Sequence, residues 1–127
     1  MGGAVARALW EAGHAVTVVD LDEETFDRLG EDWDGECHVG HGMDLAVLET
    51  AGIEHAARVV AATDDDCMNI VVAQVAQKRY GIENVAARVL DEGRAGFYAN
   101  RGIEIVSPTA AAIDQLTRWG LATKRED

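Results

Sequence analysis

The feature that most constrains this chain is a strict alternation of short β-branched runs with helical stretches, joined by connections of a few residues. The apolar runs at 15–20 (AVTVVD), 57–63 (ARVVAAT), 84–90 (NVAARVL) and 103–108 (IEIVSP) are too short for helices, and a smaller run surrounds Cys37–Val39. They read as strands buried on both faces. Between them lie segments with helical spacing. In 2–12, Val5, Leu9 and Ala12 repeat on one face and Gly13 ends the run. Residues 22–30 open on an acidic turn and stop at Gly30. In 43–53, Asp44 is a cap, Leu45, Leu48 and Ala51 point inward, and Gly52 closes the helix. The stretch 64–81 starts on aspartates and ends at Gly81, 91–102 follows, and 109–122 is the last helix.

Such an order predicts an α/β fold, a Rossmann-like doubly wound parallel sheet in a single domain over 1–122, with 123–127 as a tail. It is also unusual at its start. A doubly wound domain opens on a strand, whereas this sequence opens on a helix. The expectation is a sheet lacking its first strand, with an apolar run and a G-x-G-x segment encoded upstream of Met1.

Composition narrows the partners. The 127 residues carry 23 acids against 11 bases, a net charge of −12, which argues against nucleic acid. No apolar run approaches the roughly 20 residues needed to span a bilayer, and no basic-then-apolar leader is present. Cys37 and Cys67 lack C-x-x-C spacing and read as reduced thiols, consistent with a cytoplasmic chain.

Four places carry candidate chemistry. Gly2 occupies the position of the third fingerprint glycine, where a helix packs closely on a strand. Asp20, about 18 residues on and beside Leu21, ends a strand where a carboxylate can accept ribose hydroxyls. VGHGMD (39–44) sets Gly40, His41 and Gly42 after the next strand, either to admit an adenine or simply as a turn before a capped helix. ATDDDCMN (62–69) places Thr63 and three aspartates at a strand's carboxyl end, as helix caps or as part of the ligand crevice. Arg88 is a charge in an apolar strand and must be paired, with Asp64–Asp66, a phosphate or a second subunit. His38 and His41 form an H-x-x-H, but on a strand and loop that spacing does not bring both rings to one side, and no third ligand is evident. Nothing assembles a nucleophile with a base, so no catalytic residue is assigned.

The stretches GHAVTVVDLDEETFDRL, VGHGMD-x-x-VLETAGIE, VVAATDDDCMNIVVAQVAQ, NVAARVLD and GIEIVSPTAAA together resemble the nucleotide-binding half of potassium-conductance regulators, as found in the regulatory subunits of Trk and Ktr-type potassium uptake systems. The resemblance runs from Gly2 to about Ala122. It implies binding of NAD(H) or an adenine nucleotide (ATP or ADP), and a homo-oligomer beneath the membrane subunit of a potassium transporter or channel. By position, Asp20 would hold the ribose, Gly40–Gly42 would flank the adenine and Thr63 would lie near the phosphates. The last helix, with its Ile113, Leu116 and Trp119 stripe, would cover a partner subunit or its own sheet. His41 stands where the family commonly has Asp. Two other readings remain open: a fragment of an NAD-dependent oxidoreductase, and an assembly domain that no longer binds nucleotide.

Overall fold

The computed structural model describes residues 2–99 and 101–123. The elements are α1 (Gly2–Glu11), β1 (Thr17–Asp20), α2 (Glu24–Asp27), β2 (Glu36–Val39), α3 (Leu45–Thr50), a 3-10 turn (Ile53–His55), β3 (Arg58–Ala61), α4 (Asp66–Lys78), β4 (Asn84–Arg88), α5 (Glu92–Tyr98), β5 (Glu104–Val106) and α6 (Pro108–Thr123). Every expected element is present and the alternation holds. The tail residues 124–127, and Asn100 in the expected helix 91–102, lie outside the described residues.

All strand pairs are parallel. β1 pairs with β2 through Thr17–Glu36 to Asp20–Val39. β3 pairs with β4 from Arg58–Asn84, and β4 with β5 from Ala86–Glu104. The described strands form two sheets, β1-β2 and β3-β4-β5, and no hydrogen-bonded pair joins β1 to β3. This is the place where a doubly wound sheet carries its first strand.

Strands and helices are trimmed relative to the sequence reading, and the caps explain where. Asp44, Asp65 and Asp91 each turn a side-chain oxygen back to an amide of the next turn, so α3, α4 and α5 start immediately after them. Gly52 (φ +92°) and Gly81 (φ +66°) adopt the left-handed conformation just past helices, as stop residues do. The last helix begins at Pro108, with Ser107 Oγ accepting the Ala110 amide. Proline at a first helical position loses nothing, since its missing N–H would have had no partner. The expected helix 22–30 is a single turn, Glu24–Asp27. Glu23 makes no side-chain cap bond, and Glu23 and Glu24 face Asp27 at i+4 and i+3, where like charges oppose the helix.

The main core lies between α4 and one face of β3-β4-β5. Ala73 and Ala76 are fully buried, which lets α4 lie close against Val85, Ala87 and Val89. Leu48 of α3 and Ile53 join the same cluster. On the other side of the chain, α1 is tied to the segment after α2. The Arg7 guanidinium forks onto both carboxylate oxygens of Asp32 at 2.7 and 3.0 Å, and donates to the Leu29 carbonyl. Trp10 packs on Trp33 with ring centroids 5.3 Å apart and the planes tilted by 46°. The start of α1 meanwhile rests near Ala62, just past β3, so α1 touches both sheets' surroundings.

One face of β3-β4-β5 and the stretch of α6 from Thr109 to Ala122 have less cover than the sequence predicts. Val60 and Val106 are about half exposed, and every residue from Thr109 to Ala122 is exposed. The Ile113 and Leu116 side chains of α6 bury little surface within the chain.

Candidate functional site

In parallel strands all carboxyl ends lie on one rim, and the candidate residues sit at those ends: Asp20 on β1, Gly40–Gly42 after β2, Thr63 after β3 and Arg88 on β4. Two contacts bring the rims of the two sheets side by side. Gly2 lies against Ala62, and Gly42 faces Met68 and Val72 of α4.

Asp20 Oδ1 accepts the Asp22 amide at 2.8 Å, and its backbone carbonyl accepts the Gly40 amide at 3.0 Å. Its second carboxylate oxygen has no partner among the described residues. Leu21 beside it is 60% exposed. A methyl group on Gly2 would make ordinary contacts at 3.7 Å, so that position does not demand glycine. Gly40 does demand it: a Cβ there would come within 2.6 Å of Val47, so this glycine serves the close approach of β2 to α3. His41 Nδ1 accepts the Met43 amide at 3.0 Å, and His38 Nε2 pairs with Glu36 at 3.3 Å. The two rings have separate tasks, and no group of three metal-binding side chains occurs among the described residues.

The polar centre of the rim lies between β3, α4 and β4. Thr63 directs its amide (2.8 Å) and its hydroxyl (2.6 Å) to Asn69 Oδ1. Asn69 Nδ2 donates to the carbonyls of Thr63 (3.0 Å) and Arg88 (2.9 Å). Arg88 Nη1 donates to the same Thr63 carbonyl at 2.8 Å and stands 3.8 Å from Asp64. The side chain of Arg88 is 16% exposed, and its Nε is buried with no acceptor. A buried guanidinium N–H without an acceptor is costly.

The three aspartates divide their work. Asp64 is the exposed partner of Arg88, Asp65 caps α4, and Asp66 accepts the amides of Leu90 and Asp91, both at 2.9 Å. Those two amides hold the Asp66 carboxyl below the usual carboxylate range. The charge on Arg88 is thus paired within the acidic cluster through Asp64.

Asn69, fully buried, is the residue that sequence reasoning overlooked. Its signal was available: it lies on the inner stripe of α4 with Ile70, Ala73 and Ala76, where a polar side chain must be hydrogen-bonded.

Two surface grooves lie elsewhere. One, about 220 Å³, is lined by His38, Val39, Ala46, Val47 and Thr50. The other, about 580 Å³, crosses Arg58, Val60, Ala86 and Glu104 of the β3-β4-β5 sheet. Neither includes Asp20, Thr63 or Arg88.

Residues 1–108 match the model of the TrkA-N domain. A Streptomyces coelicolor protein named Trk system potassium uptake protein TrkA is 42% identical over 118 residues, covering 93% of this chain and 53% of that protein. The chain thus spans about half the length of this curated relative. Among solved structures, the TrkA-N domain of the inner membrane protein ybaL from Escherichia coli superposes with a TM-score of 0.82 at 13% identity, covering 94% of this chain and 88% of that one. A Shewanella denitrificans Kef CTD in AMP-bound form gives 0.68 at 23% identity, over 94% and 75% of the two chains. These two likenesses establish the fold.

Proposed function

Because the chain belongs to the TrkA-N domain family, we propose that it is the nucleotide-binding regulatory part of a potassium uptake system, working by ligand-dependent assembly rather than by catalysis. The observation that carries this reading is the placement of the Arg88 guanidinium and the open Asp20 carboxylate oxygen on one rim of parallel strand ends. The guanidinium charge suits a phosphate, and the family and the AMP-bound structure support an adenine nucleotide or NAD(H) as its source.

The residues present fit such a ligand unevenly. The free oxygen of Asp20 suits a ribose hydroxyl and opposes a 2′-phosphate. Arg88 suits a phosphate. The amide and hydroxyl of Thr63 are already committed to Asn69, so Thr63 supports Arg88 through its carbonyl rather than donating to the ligand. Gly40 is explained by Val47 and adds no support.

A ligand shifts an assembly only by binding its states unequally. The name of the Streptomyces relative supports the membrane subunit of a potassium transporter as partner, on its cytoplasmic side. The exposed stripe of α6 supports a homo-oligomer. Calorimetric titration with ADP, ATP, NAD, NADH and NADP tests the binding. The expected result is binding of one or more of the first four, weaker binding of NADP, and a loss of about tenfold or more in Arg88→Ala. Absence of heat with all five would leave only an assembly role, and hydride transfer to any substrate would reinstate an oxidoreductase.

A further inference from the structure

We propose that Asn69 is the positioning residue of the phosphate end of this site, acting through the Thr63 carbonyl to fix where the Arg88 guanidinium points. The inference rests on the nucleotide-binding reading for its ligand, but its geometry stands apart from that reading. An asparagine side chain offers two N–H donors and an oxygen with two lone pairs. Asn69 uses all four: its oxygen accepts from the Thr63 amide and hydroxyl, and its nitrogen donates to Thr63 O and Arg88 O. It is fully buried, so solvent does not share these bonds.

The Thr63 carbonyl is the shared point. Asn69 Nδ2 reaches it at 3.0 Å and Arg88 Nη1 at 2.8 Å, which occupies both lone pairs of one oxygen. With that oxygen pinned by Asn69, the Nη1 end of the guanidinium is fixed, while Nε lies buried without an acceptor. The bond from Nδ2 to the Arg88 carbonyl fixes the backbone from which the same side chain leaves. Thus one amide sets both ends of Arg88. Asp64 does not do this: it is fully exposed, and its 3.8 Å approach is too long for a hydrogen bond.

The donor half of the amide can be removed alone. Asn69→Asp keeps the size and an acceptor for Thr63, but places an oxygen against the two carbonyls. Positioning predicts that Asn69→Asp weakens ADP by about tenfold or more while adenosine, which carries no phosphate, stays within about twofold. Equal losses for both ligands, or no loss for either, would overturn the proposal, since a purely structural defect does not distinguish them. A second readout needs no nucleotide. In wild type the Arg88 Nε–H should give a resolved, slowly exchanging NMR signal, and in Asn69→Asp it should collapse into the exposed arginine signals. An unchanged signal would overturn the proposal even if wild type binds no nucleotide, an outcome that would sink the functional reading alone. If Asn69→Asp does not fold, Asn69→Ser, a smaller polar side chain, is carried through the same two measurements, and the same results support or overturn the proposal.

Discussion

Gly40 shows how little room the rim leaves. A methyl group there would press on both Cγ atoms of Val47, and a β-branched side chain has few rotamers into which to retreat. Gly40→Ala should cost about 1–3 kcal/mol, measured as a shift in the denaturation midpoint. Asp66 gives a pH-dependent counterpart. Its carboxyl is held below the usual range by the Leu90 and Asp91 amides, so the folded state favours the ionised form. That contribution is complete above the ordinary carboxylate pKa and is lost as pH falls through the lowered folded value. The melting-temperature gap between wild type and Asp66→Asn should be widest near neutrality and close as pH drops below about 4. The strand-end position of Asp20 was legible from its spacing after the glycines, and the burial of Arg88 from its place in an apolar strand. The partner sets were not, because they depend on which loops the sheet brings together. Asp66 reaching Leu90 and Asp91 across 24 and 25 positions has no local signature.

Among the elements, the helices and strands described above were legible because apolar periodicity is a local property. Their ends were not, and the aspartates decide them. Asp65→Ala removes the bond to the Met68 amide and should cost about 1 kcal/mol, read by thermal or chemical denaturation. α2 was overread because its acidic first turn suits the helix dipole and Gly30 suits a stop, while the repulsion of Glu23 and Glu24 with Asp27 opposes the helix. α6 behaves differently from the rest. Ile113 and Leu116 are 53% and 70% exposed, so they bury little within the chain. The double variant Ile113→Glu with Leu116→Glu should leave the melting temperature of the monomer within about 3 °C. In the same variant, the proposed self-association should be lost, as read by sedimentation. A large drop in stability with no change in sedimentation would mean that α6 packs on its own chain.

At the scale of the molecule, parallel pairing followed from the alternation alone, since each strand is separated from the next by a helix. The division into two sheets follows from the same order, because no described strand lies between β1 and β3. Amides on the edges of β1 and β3 that face away from β2 and β4 should exchange hydrogen faster than those in the ladders, measurable by hydrogen–deuterium exchange. Charge also acts globally. With 23 acids and 11 bases the folded chain repels itself, and added salt screens that repulsion.

The four bonds of Asn69 also limit what natural variation can do at this point. Hydrophobic neighbours on α4 such as Ile70 and Val72 contribute volume, and other aliphatic side chains of similar size can replace them with small losses. Position 69 contributes instead a pattern of two donors and two acceptors at one short reach, and no other standard side chain of that size supplies it. Across related sequences this buried site should therefore vary less than the apolar positions on either side of it, although it adds less hydrophobic surface than they do.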